Sequence, residues 1–328
     1  MGHKKSLAPV VISGAKRSGT TLLQYLFDSV PKVHTLLEES YFLEYLYDIE
    51  GWGLEHFLKL QKYAPLDELV TGSIKRSLFH VFEDGYAPKG TINMQHIDIR
   101  YDMERLSKSL EEDRILLDGT VKSVWDMWVR AMIRARGYDE AAFDFAVVKS
   151  PDYGKSALMA LKYLDSSKVI IVVRNPLYAI DSLKKSRQLR REKELHAFEL
   201  LRVTADYDLL KRSMMLIDRS GLSGRVMVIQ YEHLVSTPEE TMKKVAAFLG
   251  MAFDPSMCKP TLNGKDWNGE SSFETFKGIS NSPLKRGITT LSKWEVAFVK
   301  EALKDFCSYF GYTEEKDNKS GQGPDIRD

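Results

Sequence analysis

An apolar run, Val10-Val11-Ile12, feeds through Ser13-Gly14-Ala15-Lys16-Arg17-Ser18-Gly19 into Thr20-Thr21-Leu22-Leu23, where a helical pattern begins. A buried strand that becomes a helix through two spaced glycines dictates much of its surroundings. The strand needs parallel neighbours and helices on both faces of a sheet. The turn aims backbone N–H groups and the positive end of a helix dipole at one spot. That is an anion site before any side chain is counted.

A nucleotide-hydrolysing P-loop has the spacing G-x-x-x-x-G-K-[ST], with the Lys on the β/γ-phosphates and the hydroxyl on Mg²⁺. Gly14 and Gly19 keep that spacing, but Thr20 stands where the Lys belongs. Lys16 and Arg17 put the cations before the second glycine, against a phosphate that bridges to a transferable group. Such a loop suits a nucleotide with one group beyond its 5′-phosphate, a donor that needs neither a γ-phosphate clamp nor a metal. A tight packing turn and a true ATP- or GTP-using loop stay open at this point.

The chain's 328 residues suffice for one large α/β domain or two smaller ones. A formal net charge of +1 argues against nucleic acid as the main partner and makes any basic site a local one. Only Cys258 and Cys307 occur, too few for a disulfide framework and in keeping with a reducing compartment. No apolar leader precedes the first strand, and no stretch approaches the ~20 apolar residues of a transmembrane helix. A cytoplasmic protein is expected; its oligomeric state is not legible.

Short β-branched runs alternate with longer helical patterns, the signature of parallel β-α-β units. Strands are predicted at 9–13, 114–117, 146–149, 169–174 and 226–230, and helices at 20–30, 122–136, 155–164, 177–191, 196–219 and 239–249. Thr237-Pro238-Glu239-Glu240 reads as a helix start, with Thr at the cap, Pro first and acids in the first turn. The segment 38–112 is mostly helical in pattern and is expected to lie over the carboxyl edge of the sheet, shaping an acceptor pocket. A single α/β domain is expected over 7–312. The polar tail 313–328 is expected to be disordered.

A second anion-binding pattern follows the strand at 169–174. Arg174-Asn175-Pro176 ends it, and Ser182 lies about two turns into the next helix, so an Arg fork and a hydroxyl can share one crevice. Between the two patterns Lys149-Ser150-Pro151 closes another strand. Farther on come Tyr231-Glu232-His233-Leu234-Val235, Pro238 and Phe248-Leu249-Gly250, then Asn268-Gly269-Glu270-Ser271-Ser272 and Leu291-Ser292-Lys293-Trp294.

In this order the motifs resemble those of the sulfotransferases that use 3′-phosphoadenosine 5′-phosphosulfate (PAPS). The R-S-G-T-T-L form is closest to tyrosylprotein sulfotransferases and related bacterial enzymes. The resemblance spans about residues 10–309 and is poor over 49–112. It implies a P-loop-like, three-layer α/β fold with a mainly parallel sheet, in which PAPS is the donor and 3′-phosphoadenosine 5′-phosphate (PAP) the product. It also implies that Lys16, Arg17, Ser18, Gly19, Thr20 and Thr21 hold the 5′-phosphosulfate, and that Arg174 and Ser182 hold the 3′-phosphate. Tyr231, Ser271 and Lys293 complete the implied nucleotide site. No metal is implied, and the acceptor is a hydroxyl on a small molecule, lipid, carbohydrate or peptide.

Sulfuryl transfer needs an acceptor oxygen in line with the leaving phosphate oxygen, cations to meet the developing charge, and a base. Arg17 and Lys149 are the candidates for the sulfate and bridging oxygen. For the base, an ungapped comparison with tyrosylprotein sulfotransferases falls on Glu38, whereas the pattern Glu39-Ser40-Tyr41-Phe42-Leu43 favours Glu39, which is preferred. Desolvation and the donor's charge are expected to raise its pKa. His34, His56, His80, His96 and His196 are rivals without a supporting motif. The basic run Lys184, Lys185, Arg187, Arg190, Arg191 and Lys193 reads as a solvated helix face or as a flank to the phosphate site, and Trp125, Met127 and Trp128 as core. A kinase or other phosphotransferase, and a non-catalytic nucleotide-binding protein, are the alternative functions.

Overall fold

A computed structural model describes residues 6–51, 53–68, 101–189, 195–267 and 277–312. In chain order the elements are β1 (Ala8–Gly14), α1 (Thr20–Phe27), β2 (Val33–Glu39), α2 (Phe42–Ile49), α3 (Leu54–Tyr63), α4 (Met103–Arg114), α5 (Val121–Ala135), β3 (Phe145–Ser150) and α6 (Lys155–Tyr163). They continue with β4 (Lys168–Val173), α7 (Pro176–Leu189), α8 (Ala197–Arg219), β5 (Val226–Gln230), α9 (Tyr231–Ser236) and α10 (Pro238–Leu249). A small antiparallel pair, β6 (Thr261–Leu262) and β7 (Lys265–Asp266), precedes α11 (Ser282–Lys285), α12 (Lys293–Ala302) and α13 (Lys304–Tyr309).

The main sheet is parallel throughout, in the order β2-β3-β1-β4-β5. Its inner strands lack alternation because both faces are covered: Val10, Val11, Ile12 and residues 169–173 are all 0 % exposed. From β1 the chain crosses through α1 to the β3 side, and from β4 through α7 and α8 to the opposite side. The connections therefore diverge beside β1 and β4, and an open α/β sheet has its crevice at the carboxyl ends of such strands. The glycine loop and Arg174 emerge there.

Four of the five expected strands form at the expected places. The fifth, 114–117, does not: Arg114 ends α4, and Ile115 and Leu116 lie outside the core, 82 % and 46 % exposed. The missing sheet strand is β2, which pairs with β3 through an irregular register, Thr35 opposite Val147 and then Glu39 opposite Lys149. Its interruption by His34 and Thr35 hid it in the apolar pattern. The helical segment expected from residue 38 accordingly begins after this strand, with α2 packed on α6. Residues 69–100 of that segment, and the tail 313–328, lie outside the described residues.

Trp125, Met127 and Trp128 are buried on α5, with Trp128 Nε1 donating to Gln61 Oε1 at 3.0 Å. Pro238 opens α10 as expected. The Thr237 hydroxyl, though, donates backwards to the His233 carbonyl instead of capping the helix. Its backbone φ of −133° and ψ of 60° directs the hydroxyl away from the first turn.

Candidate active site

The loop after β1 is shaped by backbone constraints. Gly14 (φ 151°) and Gly19 (φ 97°) adopt conformations that side chains resist, and neither has room for one. A Cβ on Gly14 would lie 2.2 Å from the Val172 carbonyl oxygen, and one on Gly19 2.4 Å from Tyr231 Cδ2. Ser18, fully buried, is spent on the turn itself: its Oγ and its N–H both donate to the Ala15 carbonyl, at 2.6 and 3.2 Å. Its side chain does not reach the cleft. Lys16, Arg17, Gly19, Thr20 and Thr21 do line it.

That cleft, about 320 Å³, runs along the carboxyl edge of the sheet. Arg174 enters from the end of β4 and Ser182 from α7. Arg17, in a left-handed conformation (φ 66°), reaches across so that its Nε donates to Ser182 Oγ at 3.3 Å. Arg174 Nη1 donates to the Arg17 carbonyl at 3.2 Å, and its guanidinium stacks on the Tyr231 ring, 4.5 Å from the centroid. Arg174 Nε is buried with no hydrogen-bond partner among the described residues. A buried guanidinium N–H without an acceptor is costly unless a ligand supplies one.

Burial raises the Tyr231 hydroxyl's pKa, opposed by the charges of Arg174, Arg17 and Arg286. These three guanidinium groups line the same cleft as the phenol and make that part of it cationic. Glu232 sets the height of this wall: its Oε1 accepts from the Asn175 N–H at 3.1 Å and its Oε2 from the Tyr312 hydroxyl at 2.9 Å.

The opposite end holds a second constellation. Lys149 Nζ donates to Glu39 Oε1 at 2.8 Å and to Thr21 Oγ1 at 3.2 Å, while the Tyr41 hydroxyl donates to Glu39 Oε2 at 2.8 Å. The Lys149 charge lowers the Glu39 carboxyl to about 2, outweighing burial, with hydrogen bonds from Lys149 and Tyr41 and the charge of Lys16 adding to it. This reverses the expected direction of the Glu39 shift, because β2 and β3 seat a cation directly opposite the carboxylate. Glu38 precedes it in β2; its side chain lies outside the described residues.

Buried Asp152 fixes the turn that carries Lys149 and Pro151. Its carboxylate accepts from Ser13 Oγ (2.8 Å), Ser150 Oγ (3.2 Å), the Gly154 N–H (3.3 Å), the Ser156 N–H (2.7 Å) and the Ser156 hydroxyl. Tyr153 N–H donates to the Gly14 carbonyl at 3.0 Å. The ends of β1 and β3 are locked together, so the glycine loop and Lys149 keep a fixed spacing.

Other expected residues fall elsewhere. Lys293 is exposed at the start of α12 and does not line the cleft. Ser292 before it caps that helix in a capping box with Glu295. Ser271 and Ser272, with His80, His96, Arg190, Arg191 and Lys193, lie outside the described residues. His34 is in the core, and His56 and His196 are exposed; none of the three lines the cleft. Within the basic run, Lys184 pairs with Glu295 and Arg187 with Glu199, whereas Lys185 reaches the cleft.

Sequence reasoning missed Trp267, Asp181, Arg286 and Gly287, all of which line the cleft. Trp267 stands edge-on to Tyr25 at 5.3 Å. The one available signal was Arg286-Gly287 shortly before the Leu291-Ser292-Lys293-Trp294 run.

The model of a protein family described as "Sulfotransferase family" matches residues 9–255. Among solved structures, the chain is similar to the sulfotransferase domain of the Synechococcus PCC 7002 olefin synthase, at 16 % identity over 92 % of this chain and 96 % of that one, TM-score 0.47. It is also similar to sulfotransferase STF9 from Mycobacterium avium, at 13 % identity over 94 % and 78 %, TM-score 0.49. A third is retinol dehydratase in complex with retinol and PAP, at 14 % identity over 99 % and 84 %, TM-score 0.42. No curated protein matches the chain.

Proposed function

The chain belongs to the sulfotransferase family, and on that premise we propose that it moves the sulfuryl group of PAPS to an acceptor hydroxyl by in-line displacement. The observation that carries this reading is that one cleft is lined by the glycine loop, by Arg174 with Ser182 and, at its far end, by Glu39 and Thr21, both of which bond to Lys149 behind them. Arg174, Arg17 and Ser182 make a site for the 3′-phosphate; Arg17, expected at the sulfate and bridging oxygen, is assigned to this end because its Nε bonds to Ser182 and its carbonyl to Arg174. The loop amides with Thr20 and Thr21 make one for the 5′-phosphate, and Trp267 and Tyr231 offer aromatic faces to the base. Lys16 and Lys149 stand where the sulfate would enter beside Glu39.

In this mechanism the sulfate and bridging oxygens compete with Glu39 for the Lys149 ammonium. As Lys149 turns to the donor, Glu39 loses the main charge that holds its pKa low and becomes a competent base. The acceptor oxygen forms its bond to sulfur while its proton passes to Glu39. The bond from sulfur to the bridging oxygen breaks, and its electron pair leaves on the 5′-phosphate of PAP beside Lys149. Each step is positioning and charge stabilisation, and none calls for a metal.

Calorimetric binding of PAP, compared with AMP and with ATP plus Mg²⁺, tests the donor. Preference for PAP supports the reading and justifies a screen of hydroxyl acceptors with PAPS. Preference for ATP with Mg²⁺ would replace it with a phosphotransferase.

A further inference from the structure

Asp181 sits on α7 immediately before Ser182, and its side chain forms part of the cleft wall with only 7 % of the residue exposed. A carboxylate beside an anion clamp is an electrostatic liability unless its lone pairs are otherwise occupied. Here Oδ1 is saturated and Oδ2 is engaged once. Oδ1 accepts from three consecutive backbone N–H groups, those of Thr289 (3.1 Å), Thr290 (2.7 Å) and Leu291 (3.2 Å), and from Thr290 Oγ1 (2.8 Å). Oδ2 accepts from Thr289 Oγ1 at 3.3 Å. The single proton of the Thr290 hydroxyl is shared between Oδ1 and the Asp181 carbonyl, which lies 3.1 Å from Oγ1.

Every one of these donors belongs to the stretch just after Arg286 and Gly287. Described backbone between α11 and α12 makes no ladder with any strand; the Asp181 bonds tie it to α7, and Leu291 packs against the core. One turn farther along α7, Lys184 pairs with Glu295, which itself closes the capping box of α12. Asp181 and Lys184, which flank Ser182 and Leu183, thus hold both ends of the 289–295 stretch.

We propose that Asp181 is a positioning residue: it fastens the 286–291 loop onto α7 so that Arg286 completes the cationic pocket facing Arg174 and Ser182. The proposal rests on the nucleotide reading given above. The amides of Thr289, Thr290 and Leu291 are consumed by Asp181 and do not themselves bind the nucleotide. The loop's contribution to the ligand is the Arg286 guanidinium, whose charge already acts on Tyr231 together with those of Arg17 and Arg174. Asp181 therefore converts a negative charge at the cleft wall into an anchor for a positive one.

Two measurements on the full chain test this. Limited trypsin digestion reads cleavage after Lys285 and Arg286; Asp181→Ala should be cut at least tenfold faster there than wild type, with other sites unchanged. Calorimetry with PAP and with AMP, which lacks the 3′-phosphate, reads the clamp. Asp181→Ala should lose at least tenfold in PAP affinity and much less in AMP affinity, whereas Asp181→Asn, which keeps an acceptor for the amides, should recover part of the difference. If Asp181→Ala does not fold, Thr290→Val removes one hydroxyl from the same anchor and should shift both readouts the same way by a smaller factor. Unchanged cleavage, or an unchanged PAP-to-AMP ratio in a wild type that prefers PAP, overturns the role of Asp181 alone. A wild type that binds no PAP overturns the nucleotide reading, and the proposal with it.

Discussion

Lys149 Nζ lies 2.8 Å from Glu39 Oε1 because these two residues face each other in the register of β3 and β2, next to where the register breaks. The side chain of Lys149 is 5 % exposed and that of Glu39 32 %, so the ammonium is the more deeply set member. The pair joins a cation that the proposed donor needs to the carboxylate that the proposed acceptor needs.

Glu39→Gln should leave PAP affinity within about twofold while lowering turnover by roughly 10²–10⁴-fold, the range for a general base. Calorimetry and steady-state kinetics with PAPS check it. Unchanged turnover would move the base to Glu38 or a histidine.

Lys149→Met removes the charge that dominates the Glu39 shift, so the Glu39 carboxyl should rise from about 2 toward its ordinary 4.5. A carboxyl whose pKa is lowered by folding stabilises the fold above its unfolded pKa and loses that contribution as pH falls through the folded one. Wild type should therefore lose this increment between about pH 4.5 and 2, and Lys149→Met should lack it. Carboxyl-resolved NMR titration reads the shift directly; an unmoved Glu39 would show that Lys149 is not its cause.

Arg174→Ala removes the guanidinium that stacks on Tyr231 and carries the buried, unpartnered Nε. Hydrogen bonds to charged groups contribute about 1.5–3 kcal/mol each, so PAP affinity should fall by roughly 10–100-fold and AMP affinity by far less. Equal losses for the two nucleotides would take Arg174 out of the 3′-phosphate site.

Gly19→Ala combines a left-handed backbone with a Cβ placed 2.4 Å from Tyr231. Strain of this kind amounts to about 1–3 kcal/mol, and the ring must also move off Arg174. Lower thermal stability together with weakened PAP binding is expected, whereas a thermal midpoint equal to wild type would mean that the loop relaxes freely.

His34 is buried between Tyr138 and Phe143, and burial, with the charge of Arg136, lowers its pKa from 6.5 to about 3. Unfolding lets it take up a proton, so stability should fall by about 1.4 kcal/mol per pH unit as pH drops from 6.5 toward 3. His34→Phe should flatten that part of the denaturation profile. Parallel profiles for the two proteins would show that other groups govern the acid response.

Local chemistry determined what the sequence could reveal alone. Val10-Val11-Ile12 before two spaced glycines requires a buried strand and a phosphate-sized turn, and Arg174 at the end of residues 169–173 requires a cation at the sheet edge. Neither inference needs a distant partner. What depends on pairing was not legible: β2 is a strand because β3 accepts it, and the run 114–117 fails as one because no neighbour does. Likewise the sequence nominates Glu39 as a base raised by burial, but only the register that sets Lys149 opposite makes its carboxyl unusually acidic. Arg286 and Asp181 are more than a hundred residues apart in the chain, and only folding brings the loop that carries one onto the helix that carries the other. The sequence by itself determined the glycine turn and the cation at the strand end, because they are built from contiguous residues. Tertiary structure decided their charge balance, because it is set by Coulombic distances between strands and loops that contiguity does not fix.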